Sequence, residues 1–270
     1  MKSRKSSSEK AGEGINEMFT QERRDYILKE LNETGKVTVK NLSSKYKVTE
    51  DCIRKDLKSL ENEGKLKRTY GGAILSRDYP LQRDVIDRRM IHLEEKRIIA
   101  NKAASMVKDG EAVFLDVSTT NIIVAKLLAE QHKKLIVVSN MIDILQALAV
   151  SSLITAVGTG GTVYSSINGF MGIAAAHAIS RYSFDLAFIG SCGIDITDST
   201  ITTLGEEDGL TKKAAIDASR HKFVVMESEK FYYNECYKFA HFDDINGIIS
   251  DQLPNREMQN ALGKAGVELL

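Results

Sequence analysis

Hydrophobic residues recur at helical spacing from Thr20 onward. Tyr26, Ile27 and Leu31 share one face of a first predicted helix, which Gly35 can end. Thr38 can cap a short second helix with Val39, Leu42 and Tyr46 turned inward, and Thr49 can cap a third over residues 50–63, stopped by Gly64. In the third helix Ile53, Leu57 and Leu60 follow i, i+4, i+7 and form one buried stripe, so Arg54, Lys55 and Lys58 point away from the core. Lys65-Leu66-Lys67-Arg68-Thr69-Tyr70 then alternates as a short β-ribbon does, with Gly71-Gly72 as its turn. Together these elements predict a winged helix-turn-helix over 19–76. A helix of about 14 residues is about 21 Å long, enough to cross the major groove of DNA.

The pattern changes at Ala112. Short, continuously apolar runs at 112–115, 135–138, 153–157, 186–189, 223–226 and 247–249 alternate with helical stretches near 120–130, 141–150, 170–182 and 206–220. Strands without a polar face are buried on both sides, and their alternation with helices predicts a mostly parallel, doubly covered sheet. A longer helix with Ile98, Ile99, Ala103, Met106 and Val107 inward leads into it. The predicted fold class is therefore α/β, with an N-terminal winged helix-turn-helix and a C-terminal, mostly parallel α/β domain over 92–270. A linker over 77–91 joins them. Residues 1–18, almost free of apolar side chains, read as a disordered tail.

Composition narrows the class. With 43% hydrophobic and 27% charged residues among 270, collagen-like, wholly disordered and disulfide-scaffold readings are excluded. The three cysteines form no CxxC and no ligand-spaced cluster with the five histidines, so no metal site and no cofactor are expected. The basic start is followed at 6–14 by polar residues where a signal peptide needs an apolar core. The apolar stretch at 144–150 falls far short of the roughly 18 residues of a membrane span. The reading is a cytoplasmic protein with no membrane partner.

Charge is unevenly distributed. Residues 1–77 carry 18 Lys and Arg against 12 Asp and Glu, and the remainder carries 19 against 25. A basic end joined to an acidic body suits one part that meets a polyanion and one that does not. Arg54, Lys55 and Lys58 on the third helix, with Lys67 and Arg68 on the wing, are the candidate DNA contacts.

In the α/β domain, polar clusters follow successive strands: Asp116 with Ser118, Thr119 and Thr120; Ser139-Asn140; Gly160-Gly161; Gly190; and Lys230. Ligands of open α/β sheets bind beyond the carboxyl ends of the strands, where helix N-termini offer free backbone N–H groups. Hydroxyls and glycines there suit an anionic, hydroxyl-rich small molecule such as a phosphorylated sugar. Lys212 and Lys230 are candidate charge partners and Asp116 a hydroxyl acceptor.

From about Gln21 to Leu270 the chain resembles the DeoR-family transcriptional regulators. The most specific block is Val48-Thr49-Glu50-Asp51-Cys52-Ile53-Arg54-Lys55-Asp56-Leu57, followed by Arg68-Thr69-Tyr70-Gly71-Gly72-Ala73. It is similar to the family's recognition helix and wing, and adds Thr49, Cys52 and Tyr70 to the implied DNA-binding residues. The later motifs, among them Glu95-Lys96-Arg97, residues 116–120, Ser139-Asn140, Gly160-Gly161 and Ser228-Glu229-Lys230-Phe231, resemble the family's sensor domain, related in fold to ribose-5-phosphate isomerase and CoA transferases. The resemblance implies a double-stranded DNA operator, repression of a sugar-utilisation operon relieved by a phosphorylated sugar, and a homo-oligomer, dimer or tetramer. This chain departs from the family at Cys52 (usually Thr), Tyr70 (His), Ser118 (Gly), Tyr164 (often basic) and Glu229 (Ser). A carboxylate at Glu229 facing the pocket would repel a phosphate. The alternative is a sugar-phosphate-converting enzyme of isomerase-like fold, with Asp116, Glu206, Glu207 and Lys212 as acid/base candidates. The fused DNA-binding head speaks against it.

Overall fold

The computed structural model describes residues 20–34, 36–62, 65–69, 71–75 and 85–270. The tail at 1–18, Gly35, Gly64, Tyr70 and linker residues 77–84 lie outside the described residues.

The head consists of α1 (Thr20–Thr34), β1 (Lys36–Thr38), α2 (Val39–Tyr46), α3 (Glu50–Asn62), β2 (Leu66–Thr69) and β3 (Gly72–Leu75). Both caps form: the Thr38 hydroxyl accepts from Asn41 N and the Thr49 hydroxyl from Cys52 N, each at 3.2 Å. Ile27, Leu31, Leu42, Ile53, Leu57 and Leu60 close into one core. Tyr26, expected on the inner face, is instead exposed. The wing is broader than the sequence pattern suggests, because β1 pairs antiparallel with β3 on the side opposite β2. Gly72 permits that pairing, since a Cβ there would lie 2.0 Å from the Val37 carbonyl oxygen.

The sensor begins with α4 (Val85–Arg88), α5 (Leu93–Met106), β4 (Ala112–Leu115), α6 (Thr119–Glu130), β5 (Leu135–Ser139), α7 (Ile142–Leu148) and β6 (Ile154–Gly158). A hairpin of β7 (Thr162–Tyr164) and β8 (Gly169–Met171) leads to α8 (Ile173–Ile179) and β9 (Phe184–Gly190). Then come β10 (Gly193–Asp195), β11 (Thr200–Thr203), α9 (Glu206–Asp217), β12 (Ser219–Val225), a 3-10 helix (Ser228–Tyr232) and β13 (Tyr237–His241). The chain closes with β14 (Gly247–Ile249), α10 (Arg256–Lys264) and β15 (Glu268–Leu269).

The main sheet has the order β15-β14-β12-β9-β4-β5-β6, and every pair in it is parallel. Its apolar runs divide by alternation. Val113, Leu115, Leu186, Phe188, Phe223 and Val225 enter the core on one face, and Phe114, Ala187, Ile189, Val224 and Met226 enter the core on the other. The chain winds outward from β4 through β5 to β6, then returns to place β9 on β4's other side. The carboxyl ends of β4 and β9 thus form a topological switch point, where such sheets open a crevice. The antiparallel β10-β11-β13 sheet and the β7-β8 hairpin are additional to the main sheet.

Two expectations need correction. Ile98, assigned to the buried stripe of α5, is 46% exposed, while Ile99, Ala103 and Val107 are buried. The end of the predicted linker belongs to the sensor, because Val85 is buried in the sensor core and its N–H bonds to the Ser166 carbonyl at 2.9 Å. Among the described residues no helix is long and apolar enough to cross a membrane.

Candidate functional site

On α3 the buried Ile53/Leu57/Leu60 stripe leaves Arg54, Lys55 and Lys58 exposed, as their spacing requires. Arg54 pairs with Glu50 at 2.7 Å and Asp51 at 3.2 Å, all three exposed. Such exposed pairs contribute about 0–1 kcal/mol. Arg68 braces the wing on α3: its Nε and backbone N–H reach the two oxygens of Glu61 at 2.6 and 2.9 Å, which holds that carboxyl below its usual range. Lys67 lies on β2 opposite Ile74. Thr49 is exposed at the cap, whereas Cys52 is half-buried, with its sulfur accepting from Arg23 Nη2 of α1 at 3.3 Å. Below them Asp56, 2% exposed, binds Arg23 at 2.6 Å and Arg24 at 3.3 Å, and so fixes α1 to α3.

At the switch point lies a cavity of about 670 Å³. Ser118 and Thr119, at the start of α6, line it beside Gly190, Lys212 and Lys230. Gly190 must be small here, because a Cβ would sit 3.1 Å from both Ser118 Cβ and the Val117 oxygen. Asp116 lies beneath, fully buried, accepting from Gly190 N at 2.9 Å and from Lys212 Nζ at 2.5 Å. Lys212 also meets Asp208 at 3.2 Å, and Asp208 accepts from the Thr203 hydroxyl. Burial pushes the Asp116 carboxyl up to about 6, against the pull of the Lys212 ammonium. For Lys212 burial opposes the charge, but Asp116 and Asp208 outweigh it and raise its pKa. Both bonds fall on Asp116 Oδ2, whereas Oδ1 is buried without a hydrogen-bond partner among the described residues, and Asp116 does not line the cavity.

The predicted residues therefore separate. Ser118, Thr119, Gly190, Lys212 and Lys230 come together around the cavity, while Thr120, Ser139, Asn140, Gly160 and Gly161 do not line it. Ser139 and Asn140 are spent on architecture. The Ser139 hydroxyl donates to the Leu115 carbonyl at 2.7 Å, and Asn140 Oδ1 accepts from Val117 N at 2.9 Å, which holds the loop that presents Ser118. Gly160 and Gly161 turn the chain at positive φ between β6 and β7. Glu229 is absent from the lining, and its carboxylate lies 3.5 Å from His92 Nε2. Tyr164 hydrogen-bonds Glu207, which raises its hydroxyl pKa. Cys192 lines the cavity, and burial pushes its thiol up, which disfavours the thiolate.

Sequence reasoning missed Arg88, Ser166, Ile167, Met171 and residues 204–208, with Glu206 and Glu207 considered only for the enzyme alternative. They come from α4, the β7–β8 hairpin and the segment that starts α9, which no local motif connects. Behind Lys230, Glu227 is buried and binds the Lys230 ammonium at 2.6 Å and Lys96 at 3.4 Å. Burial would raise the Glu227 carboxyl, but the two lysines prevail and hold it at about 2. Lys96 in turn donates to the Arg88 and Ile91 carbonyls, both at 2.6 Å.

Residues 91–252 match the family model of the DeoR C terminal sensor domain, and residues 23–78 match that of the DeoR-like helix-turn-helix domain. The HTH-type transcriptional repressor GlcR of Bacillus subtilis is 31% identical over 94% of this chain and 96% of its own length. The glycerol-3-phosphate regulon repressor of Escherichia coli is 27% identical over 92% and 97%. Among solved structures, a ribose 5-phosphate isomerase of Methanocaldococcus jannaschii has a TM-score of 0.37 at 18% identity, covering 50% of this chain and 52% of that one. Head, sensor and full-length relatives agree: this chain belongs to the DeoR family and is a DNA-binding transcriptional regulator, not an enzyme.

Proposed function

We propose that the protein represses a sugar-metabolism operon and leaves its operator when a phosphorylated sugar fills the switch-point cavity. The observation that carries this reading is the cavity's composition. A helix N-terminus with Ser118 and Thr119 stands at one side, and the cations Arg88 and Lys230 also face the space. A phosphate suits that end, and the exposed carboxylates Glu206 and Glu207 supply acceptors for sugar hydroxyls. Relatives named for a glycerol-3-phosphate regulon and a lactose phosphotransferase system support the same ligand class. On the DNA side, Arg54 and Lys55 read base edges or phosphates, Lys58 and the wing cations Lys67 and Arg68 hold the backbone, and Thr49 sits at the groove. Two heads on a homo-oligomer would read paired half-sites in the cytoplasm.

Fluorescence anisotropy on the protein's own upstream DNA and on a scrambled duplex, across salt concentrations and with a panel of sugar phosphates, tests this. Sequence-preferring binding that one phosphate weakens roughly 5- to 150-fold is the expected result. Equal, weak binding to both duplexes would defeat the proposal.

A further inference from the structure

The cavity and the head meet in one short segment. Lys230 lines the cavity, and three residues later Tyr233, only 9% exposed, is buried in the head's hydrophobic cluster with Ile27 and Leu31 of α1. The 3-10 helix Ser228–Tyr232 spans that distance and lies against α1, with Tyr232 packed on the same cluster. A second route reaches the same residue. Ser191 and Cys192 line the cavity, and β10, which follows them, donates from Ile194 N to the Tyr233 carbonyl at 2.8 Å. The approach is so close that a Cβ on Gly193 would lie 2.1 Å from that oxygen. From α1 the contacts continue through Arg23 and Arg24 to Asp56 of the recognition helix α3.

We infer that the 3-10 helix Ser228–Tyr232 couples the cavity to the DNA-binding head, with Tyr233 as the latch that docks the head on the sensor when the cavity is empty. The inference rests on the reading that an anion binds beside Lys230. A ligand shifts an equilibrium only through a contact that differs between the two states. Lys230 provides one, because its ammonium binds Glu227 at 2.6 Å and would have to turn toward a bound anion. That exchange also leaves Glu227 to Lys96, whose Nζ holds the Arg88 and Ile91 carbonyls where the chain enters the sensor. Packed segments respond by switching between discrete arrangements rather than by gradual bending. The docked arrangement is the operator-competent one, and tilting the 3-10 helix releases Tyr233.

The chain contains no tryptophan, so Tyr233→Trp in the full-length protein places a single fluorophore at the contact. Lys230→Ala, with no ligand present, should shift its emission to the red and weaken operator binding at least about 5-fold. In a Tyr233→Ala background the same Lys230→Ala change should alter operator binding less than about 2-fold, because the latch is already gone. Tyr233→Phe, which keeps the apolar packing, serves as the folded control and should retain the response to Lys230→Ala. Equal effects of Lys230→Ala in both backgrounds, or an unmoved emission, would overturn the coupling. Glucose 6-phosphate, fructose 1-phosphate, glycerol 3-phosphate and inorganic phosphate are then added in turn. A probe that weakens operator binding without moving the emission overturns the latch and leaves the phosphosugar reading intact. If no probe has any effect, that reading suffers, while the Lys230→Ala cycle still decides the coupling.

Discussion

The head and the sensor each bury one aspartate against basic side chains, and they put it to different use. In the head, Asp56 receives Arg23 and Arg24 across 33 and 32 residues and locks one helix to the next. Asp116 in the sensor receives Lys212, a cavity-lining residue, across 96 residues. The first pair lies behind a surface on which the cations Arg54, Lys55 and Lys58 stay exposed. The second stands beside the cavity, and Lys212 is already committed to Asp116 and Asp208. A buried ion pair therefore holds elements together in both domains, and the cations that keep some access to solvent are the ones left for the proposed anion contacts.

Removing one partner of either pair should have the largest effect. Lys212→Met takes the ammonium from buried Asp116, and Asp56→Ala takes the carboxylate from buried Arg23. Each should lose about 3–5 kcal/mol of stability in urea denaturation. The comparison sharpens if the first loss appears in the sensor transition and the second in the head, with operator affinity falling only for Asp56→Ala at a temperature where both variants remain folded. A loss below about 1 kcal/mol in both would break the view that these pairs fix geometry.

Acid should separate two carboxylates in the sensor itself. Glu227 is held at about 2 against an ordinary 4.5, so its contribution is present above pH about 4.5 and lost as pH falls toward 2. A shift of that size corresponds to about 3 kcal/mol. Asp116, raised to about 6, has the opposite sign: its contribution is present below about 3.8 and is lost as pH rises through 6. Denaturation midpoints measured from pH 7 to pH 3 should thus fall steeply only below about pH 4.5. Glu227→Gln should flatten that fall, and an unchanged acid limb would rule the assignment out.

On the head's outer face the effects should be smaller. Arg54→Ala should weaken operator binding by about 1–3 kcal/mol and relax sequence preference. Lys58→Ala should weaken all duplexes alike and lower the salt slope by about 1. If both changes act identically on scrambled DNA, α3 does not read bases. Smallest of all, Glu229→Ser should change the affinity for an effective sugar phosphate by less than about 1 kcal/mol, because that carboxylate is turned to His92. A tenfold tightening in isothermal titration would place Glu229 at the ligand after all.

The head was almost fully legible in the sequence. Its stripe and its exposed cations lie within one helix, whose 3.6-residue period fixes which side chains share a face, and each cap lies within a few residues of the helix it starts. Tyr26 escaped because the apolar pattern around it is wider than the face that the small core can cover. In the sensor, six strands of the sheet were legible from apolar runs, whereas β15, too short to leave such a run, and the β10-β11-β13 sheet were not. Polar residues after each strand could be named as candidates, but a serine that caps a ligand-facing helix and one that braces a carbonyl look the same in sequence. Ser118 caps α6 at the cavity, and Ser139 braces the Leu115 carbonyl.

By itself the sequence determined the two-part organisation, the winged helix-turn-helix with its cationic face, the parallel α/β class and the family. These follow from periodicities and motifs contained within a few tens of residues. Only the tertiary structure decided which strand ends meet, because strand order is a long-range property that no local pattern encodes. It brought Lys212 onto Asp116, turned Glu229 away from the cavity and joined α4 to the sensor. It also set Lys230 and Tyr233 on two sides of one short helix, facing the cavity and the head, where burial and close approach rather than residue type give each its role.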